Sequence, residues 1–276
     1  MPARSTPRGA APRPPSTPES GRPTSLREAA VADPAVPRLE LLEWASRYGL
    51  VAGITCRGHG FSLGLWSGEP VGQVMTRWRA FGAAMRGSFP AQVLSHQVHG
   101  TEVRWHEPGS GRAAEGWQIL DGVDGHATAA PGLLLTVTVA DCIPIYLAVP
   151  SKGAIALLHA GWRGTAAGIL QRGVESLKRQ AFASAADIVM HCGVGICGSC
   201  YEVGSEVQER LGSGLHESTT HVDLRRLLTA QGAELGIAEV SVSPWCTAHD
   251  RERFFSHRAS RGADGRQVAY LGRPLA

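Results

Sequence analysis

Three short segments of the 276-residue sequence carry side chains able to bind a metal or act as a nucleophile. They are Gln97-Val-His-Gly100, Ala140-Asp-Cys142 and His159-Ala-Gly-Trp-Arg-Gly164. One thiol and two imidazoles, from Cys142, His99 and His159, would supply three zinc ligands and leave a fourth position for water. That is the open arrangement of catalytic zinc, as opposed to the closed one of structural zinc. Copper is the alternative ion, because it binds such nitrogen and sulfur sites more tightly. Taken singly, each residue has an ordinary explanation: Cys142 as a small buried hydrophobe, His99 as a satisfied structural histidine. Whole strands separate the three, so only the fold can bring them together. Without a metal, a Cys142 nucleophile with His159 as its base is the rival chemistry.

Asp141 interrupts an otherwise apolar run, where a carboxylate requires a partner or a pocket. It is a candidate for proton transfer, as is Asp124. After His159, Gly161 and Gly164 permit a sharp turn. The first amides of the helix expected next are unpaired and partly positive, and Arg163 adds a forked cation. Together these read as a phosphate-binding turn, with a plain strand-to-helix turn and a solvated arginine as the alternative. Arg258, in Phe254-Phe-Ser-His-Arg258, is a second candidate anion contact, or else one half of a salt bridge.

The remaining cysteines are less telling. Cys192, Cys197 and Cys200 fall in a glycine-rich stretch, and Cys197-Gly-Ser-Cys200 has the spacing of metal knuckles and redox pairs. With no obvious fourth ligand nearby, the expectation is a tight loop with small buried thiols. Cys246, His249 and His257 are expected to form a wall of the active pocket.

The elements that must position these residues follow from periodicity. Helices are expected over Leu39–Tyr48, Val71–Met85, Thr165–Gln180, Glu202–Leu211 and Asp223–Leu235. Strands are expected over 50–56, 91–95, 102–105, 133–139, 143–149, 154–159, 188–192, 240–242 and 267–271. The stretch 132–149 reads as a strand pair. The resulting class is α/β (α+β): one compact domain, residues 38–276, with mixed sheets flanked by helices. Residues 1–37, with prolines at 2, 7, 12, 14, 15, 18 and 23, read as a disordered Pro/Arg/Ser-rich tail.

Composition narrows the function classes. A net charge of +3 with arginines spread along the chain gives no basic block for nucleic acid. No apolar run is long enough to span a membrane. Six cysteines without a secretory signal point to reduced thiols and a cytoplasmic protein. A monomer or small homo-oligomer is expected.

As a set, Gln97-Val-His-Gly100, Thr138-Val-Ala-Asp-Cys142, His159-Ala-Gly-Trp-Arg-Gly164, Cys197-Gly-Ser-Cys-Tyr-Glu-Val-Gly204 and Phe255-Ser-His-Arg258 resemble the laccase-domain family. That family is also called multicopper polyphenol oxidase and purine nucleoside phosphorylase. The resemblance spans roughly residues 51–271. It implies a fold related to cysteine-hydrolase-like toxin domains and a zinc site matching His99, Cys142 and His159. It further implies phosphorolysis of adenosine, inosine, guanosine or methylthioadenosine, with phosphate as co-substrate, and deamination of adenosine. His257 stands where a tyrosine is usual in the family. True laccase chemistry requires His-x-His pairs, and the eleven histidines form none.

Overall fold

The computed structural model describes residues 23–33, 35–107, 116–212 and 219–275. Along the chain the strands are β1 (Thr24–Ser25), β2 (Ala29–Ala30), β3 (Arg38–Glu40), β4 (Val51–Thr55), β5 (Ala91–His96), β6 (Val103–His106), β7 (Gly116–Asp121) and β8 (Gly125–Thr128). They continue with β9 (Leu133–Val139), β10 (Ile143–Val149), β11 (Ala154–Ala160), β12 (Val189–Cys192), β13 (Glu202–Val203), β14 (Thr220–His221), β15 (Glu239–Val242) and β16 (Gln267–Gly272). The helices are α1 (Leu42–Tyr48), α2 (Val71–Met85), α3 (Trp162–Ala166), α4 (Ile169–Gln180), α5 (Ser205–Arg210), α6 (Leu224–Glu234) and α7 (His257–Ser260).

Two seven-stranded mixed sheets result, ordered β1-β15-β12-β10-β11-β8-β6 and β2-β3-β4-β16-β9-β5-β7. Alternate residues of β10 show how they stack. Ile143, Ile145, Leu147 and Val149 pack in a core with Ile169, Leu170, Val174, Leu177 and Leu228 of α4 and α6. Tyr146 and Ala148 pack instead with Leu135 and Val137 of β9 and Leu271 of β16, in a core between the sheets. The far face of the second sheet meets Val74, Trp78, Phe81 and Met85 of α2. The order is therefore helices, sheet, sheet, helix. Strands covered on both faces read as continuous apolar runs, which is why β9, β10 and β11 are legible in the sequence.

The strands expected at 133–139 and 143–149 form, but they do not pair with each other. β9 pairs with β16 and β5, and β10 pairs with β11 and β12. Ala140-Asp141-Cys142 carries the chain from one sheet to the other, with Asp141 at φ 86°. The helix expected over Thr165–Gln180 is two helices. Gly168, at φ 85°, stands between α3 and α4, a left-handed conformation that glycine adopts without steric cost. The segment expected as one helix from Leu39 begins as strand β3, because Arg38–Glu40 pairs with 53–55 of β4.

Part of the expected disordered tail is ordered. β1 adds to β15 and β2 to β3, at the edges of the two sheets. Between them Glu28 is buried at 1% exposure. It accepts a hydrogen bond from Ser243 Oγ at 2.7 Å and lies 3.1 Å from His191 Nε2. Composition hides this anchor because it rests on one carboxylate and a few apolar contacts, not on a periodic pattern. Residues 1–22 lie outside the described part. Among the described residues no helix is long and apolar enough to cross a membrane.

Candidate metal centre and active site

His99, Cys142 and His159 come together: their ligand atoms lie within 4.8 Å of one another. Each arrives from a different element. His159 closes β11, Cys142 follows the bend between β9 and β10, and His99 sits in the loop after β5. The two imidazoles stand edge to face, with centroids 4.8 Å apart.

One buried carboxylate organises this meeting. Asp124 is fully buried, just ahead of β8. Its oxygens accept the backbone N–H groups of Val98, His99 and Gly100 at 3.1, 3.0 and 2.7 Å. Asp124 Oδ1 also takes His159 Nδ1 at 2.8 Å. This bond leaves His159 Nε2 free to face an ion and fixes the ring, as a carboxylate behind a ligating histidine does. The three amides hold His99 at φ 60°, a conformation costing on the order of 1 kcal/mol for a residue with a side chain. Burial pushes the Asp124 carboxyl up, but His159 and the amides outweigh it and hold it below the usual range. Asp124 is fully buried behind the triad, where it positions His159 and the His99 loop. Gln97 secures the same loop, donating to Thr138 O at 2.9 Å and accepting from Thr138 N at 2.7 Å.

Asp141 likewise has both oxygens engaged. Oδ1 accepts Thr247 Oγ1 at 2.6 Å, and Oδ2 accepts the Arg258 amide at 2.6 Å. Because Asp141 is not extended, the expectation that it points away from Cys142 along a strand does not apply. Its bonds fix the bend that presents Cys142.

Gly161 and Gly164 are not among the residues lining the cavity. A Cβ at Gly161 would lie 2.9 Å from Cys142 Sγ and 3.0 Å from His99 Cδ2; one at Gly164 would lie 3.1 Å from Gly100 O. These glycines are required by close packing behind the triad. α3 has five residues, so the helix start expected to bind phosphate is a single short turn, and charge at the mouth comes from arginines.

The cavity measures about 580 Å³ and is lined by the triad and by Trp66, Trp162, Arg163, Tyr201, His257, Arg258 and Arg266, among others. The Arg163 guanidinium lies 4.4 Å from the Trp162 ring centre, and that of Arg258 lies 5.1 Å from the Tyr201 ring centre. Trp66 packs against His96, with ring centres 4.7 Å apart. Trp66 and Arg266 are not candidates in the sequence, and Tyr201 enters it only within the Cys197–Gly204 motif; isolated aromatics and arginines in loops carry no periodic signal. Nor was β8, whose short Gly-His-Ala-Thr run buries His126 and Thr128 instead of apolar side chains.

The triad's electrostatics favour a thiolate. Burial pushes the Cys142 thiol up, but His159 and His99 outweigh it and bring it down to about 6. Burial pulls His159 down, and Cys142 and Asp124 reverse this to about 9. A thiolate and two histidines within reach of one point are the donor set of a thiophilic divalent ion, so these residues fit one.

Of the pocket wall expected from Cys246, His249 and His257, only His257 lines the cavity. Cys246 and His249 instead meet Cys197 and Cys200, with all four ligand atoms within 4.8 Å. Cys192 is apart from them, fully buried in the core against α4 and α6.

The comparisons agree with this architecture. The family model described as multi-copper polyphenol oxidoreductase laccase matches residues 51–274. Purine nucleoside phosphorylase YlmD of Geobacillus stearothermophilus is 32% identical over 248 residues, covering 82% of this chain and 90% of its own. A purine nucleoside phosphorylase of Deinococcus radiodurans is 36% identical over 187 residues, 65% of this chain and 69% of that protein. The crystal structure of the Geobacillus stearothermophilus YlmD superposes with a TM-score of 0.78 at 28% identity, covering 90% of this chain and 100% of that one. The match runs from β4 past β16 and takes in every cavity residue named above, so the chain belongs to the multi-copper polyphenol oxidoreductase laccase family.

Proposed function

We propose that this protein is a zinc-dependent purine nucleoside phosphorylase that also deaminates adenosine. The observation that carries the reading is an open Cys/His₂ donor set in a cavity with both flat aromatic and cationic walls. The names of the relatives support its phosphorylase part.

His99, Cys142 and His159 would hold the ion, with copper as the alternative occupant. When bound, the ion supplies Lewis acidity to an oxygen beside the reacting carbon. The chain supplies the rest. Trp66, Trp162 and Tyr201 offer faces for a purine and ribose. Arg163 and Arg258 place phosphate and offset its charge. In phosphorolysis a phosphate oxygen bonds to C1′ and the bond to N9 breaks, the base leaving with the electron pair. In deamination water adds at C6 and ammonia leaves. Asp124 and Asp141 act through the ligands they position. Free thiols, nucleosides and phosphate occur together in the cytoplasm, where we place the protein.

Metal-loaded protein given inosine or adenosine with phosphate is expected to release free base, and ammonia from adenosine. No base and no ammonia from protein shown to carry metal would sink this reading. One observation favours a second, a metal-free cysteine hydrolase: the low Cys142 thiol beside a protonated His159 is a nucleophile–acid pair. Activity retained after metal stripping, and lost on alkylation of Cys142, would select it.

A further inference from the structure

The other Cys/His cluster has no part in the chemistry above, yet its geometry is that of a metal site. We propose that Cys197, Cys200, Cys246 and His249 form a second, closed zinc site that clamps the loop over 193–201 to the turn over 245–250.

The four ligand atoms lie within 4.8 Å of one another. His249 Nδ1 is 3.6 Å from Cys197 Sγ and 3.7 Å from Cys200 Sγ. Tetrahedral zinc with ordinary bonds to sulfur and nitrogen sets such pairs about 3.6 Å apart. The four residues fall into two pairs, Cys197-x2-Cys200 and Cys246-x2-His249, each with the spacing of a metal knuckle. The first pair sits on a tight turn, where Cys200 N–H donates to Cys197 O at 3.1 Å.

Two of the sulfurs have polar partners beside them. The Cys197 amide donates to Cys246 Sγ at 3.3 Å, and Ser199 Oγ lies 3.1 Å from Cys197 Sγ. The backbone links the two knuckles, Thr247 N–H donating to Gly195 O at 3.1 Å, and the second turn is closed by Cys246 N–H donating to Asp250 Oδ2 at 2.9 Å. All six cysteines are free thiols, and an imidazole among three sulfurs has no role in a disulfide. Three thiolates and one imidazole complete a tetrahedron, so no position remains for a substrate and the site is structural.

The clamp bears on the active site through both of its arms. Ile196 and Tyr201, flanking the first knuckle, line the cavity. Thr247, inside the second, donates to Asp141 and so steadies the bend that carries Cys142.

The test uses full-length untagged protein grown with zinc, desalted and analysed for metal. The wild type is expected to carry two ions per chain. The His99→Ala/Cys142→Ala variant is expected to keep one. Cobalt(II) loaded into that variant is expected to show the intense absorption of a tetrahedral ion bound by several thiolates. Chelation of the same variant is expected to lower its Tm by about 10 °C, since the lost ion binds only the folded chain. Adding Cys200→Ser is expected to abolish both the residual ion and the cobalt spectrum. A folded His99→Ala/Cys142→Ala variant that retains no metal, or whose cobalt spectrum lacks thiolate bands, overturns the proposal. If Cys200→Ser fails to fold, the metal content and cobalt spectrum of the double variant still decide. Activity is not the readout, so the outcome stands apart from that of the phosphorylase assay.

Discussion

The molecule carries two Cys/His clusters built on opposite plans. The open one takes single residues from three elements, and buried carboxylates hold them: Asp124 behind His159 and the His99 loop, Asp141 beside Cys142. The closed one takes two short pairs from two loops, held by backbone amides, with His249 exposed. The contrast teaches that a site kept open for substrate needs its rigidity from behind, because its fourth ligand position gives none. A closed site supplies its own rigidity through a fourth protein bond and tolerates a place near the surface.

The sharpest way to break this comparison is Cys142→Ala. Removing a ligand from the open triad is expected to lower turnover by about 10³-fold or more while the fold persists. Steady-state rates together with metal content check this, and undiminished activity would show that the triad is not the reacting centre. Asp124→Asn comes next. With the carboxylate behind the ligands gone, metal affinity is expected to fall by about 10- to 100-fold, measured by competition with a chromophoric chelator. An unchanged affinity would mean that the open site does not depend on support from behind.

A smaller effect is expected from pH. Close to the open triad, burial brings His126 down to about 3 and His106 to about 4, both neutral in the folded protein. His106 Nε2 and His126 Nδ1 lie 3.1 Å apart. The unfolded chain takes up protons at these histidines near pH 6.5, and the folded chain does not. Stability is therefore present above pH 6.5 and lost as pH falls toward 4. On the order of 4 kcal/mol, about 2 for each histidine, is expected to disappear between pH 7 and pH 5, read from denaturant midpoints. His126→Gln is expected to flatten that slope.

The mildest change is at the mouth. Arg163 is exposed, and Arg163→Ala is expected to raise the KM for phosphate by about 10-fold with kcat nearly kept. A fall in kcat with KM unchanged would move Arg163 from binding to the reaction itself.

Much of the fold was legible. Val71–Met85 shows its helix, and β9, β10 and β11 show themselves because both faces of each strand are covered. β8 was not legible, since its buried His126 and Thr128 are satisfied by hydrogen bonds, not apolar packing. The ordered part of the N-terminal segment escaped for a like reason, as Glu28 replaces the expected apolar anchor. At the site, Cys142, His99 and His159 stood out by type, and the family resemblance grouped them. Asp124 appeared only as a candidate for proton transfer, though its place is behind the triad.

Residue type and short-range spacing determined, without the fold, which side chains can bind an ion and where the Cys197-x2-Cys200 pair lies. A spacing of two residues constrains the local backbone directly, so it survives as a sequence pattern. Whether Cys197 and Cys200 meet Cys246 and His249, or turn toward Cys192, depends on which strands pair. The switch of sheets at Asp141 and the return of β11 beside β10 settle that, and they bring His99, Cys142 and His159 to one point. Such pairings are set by burial summed over whole sheets, a quantity that no single segment carries.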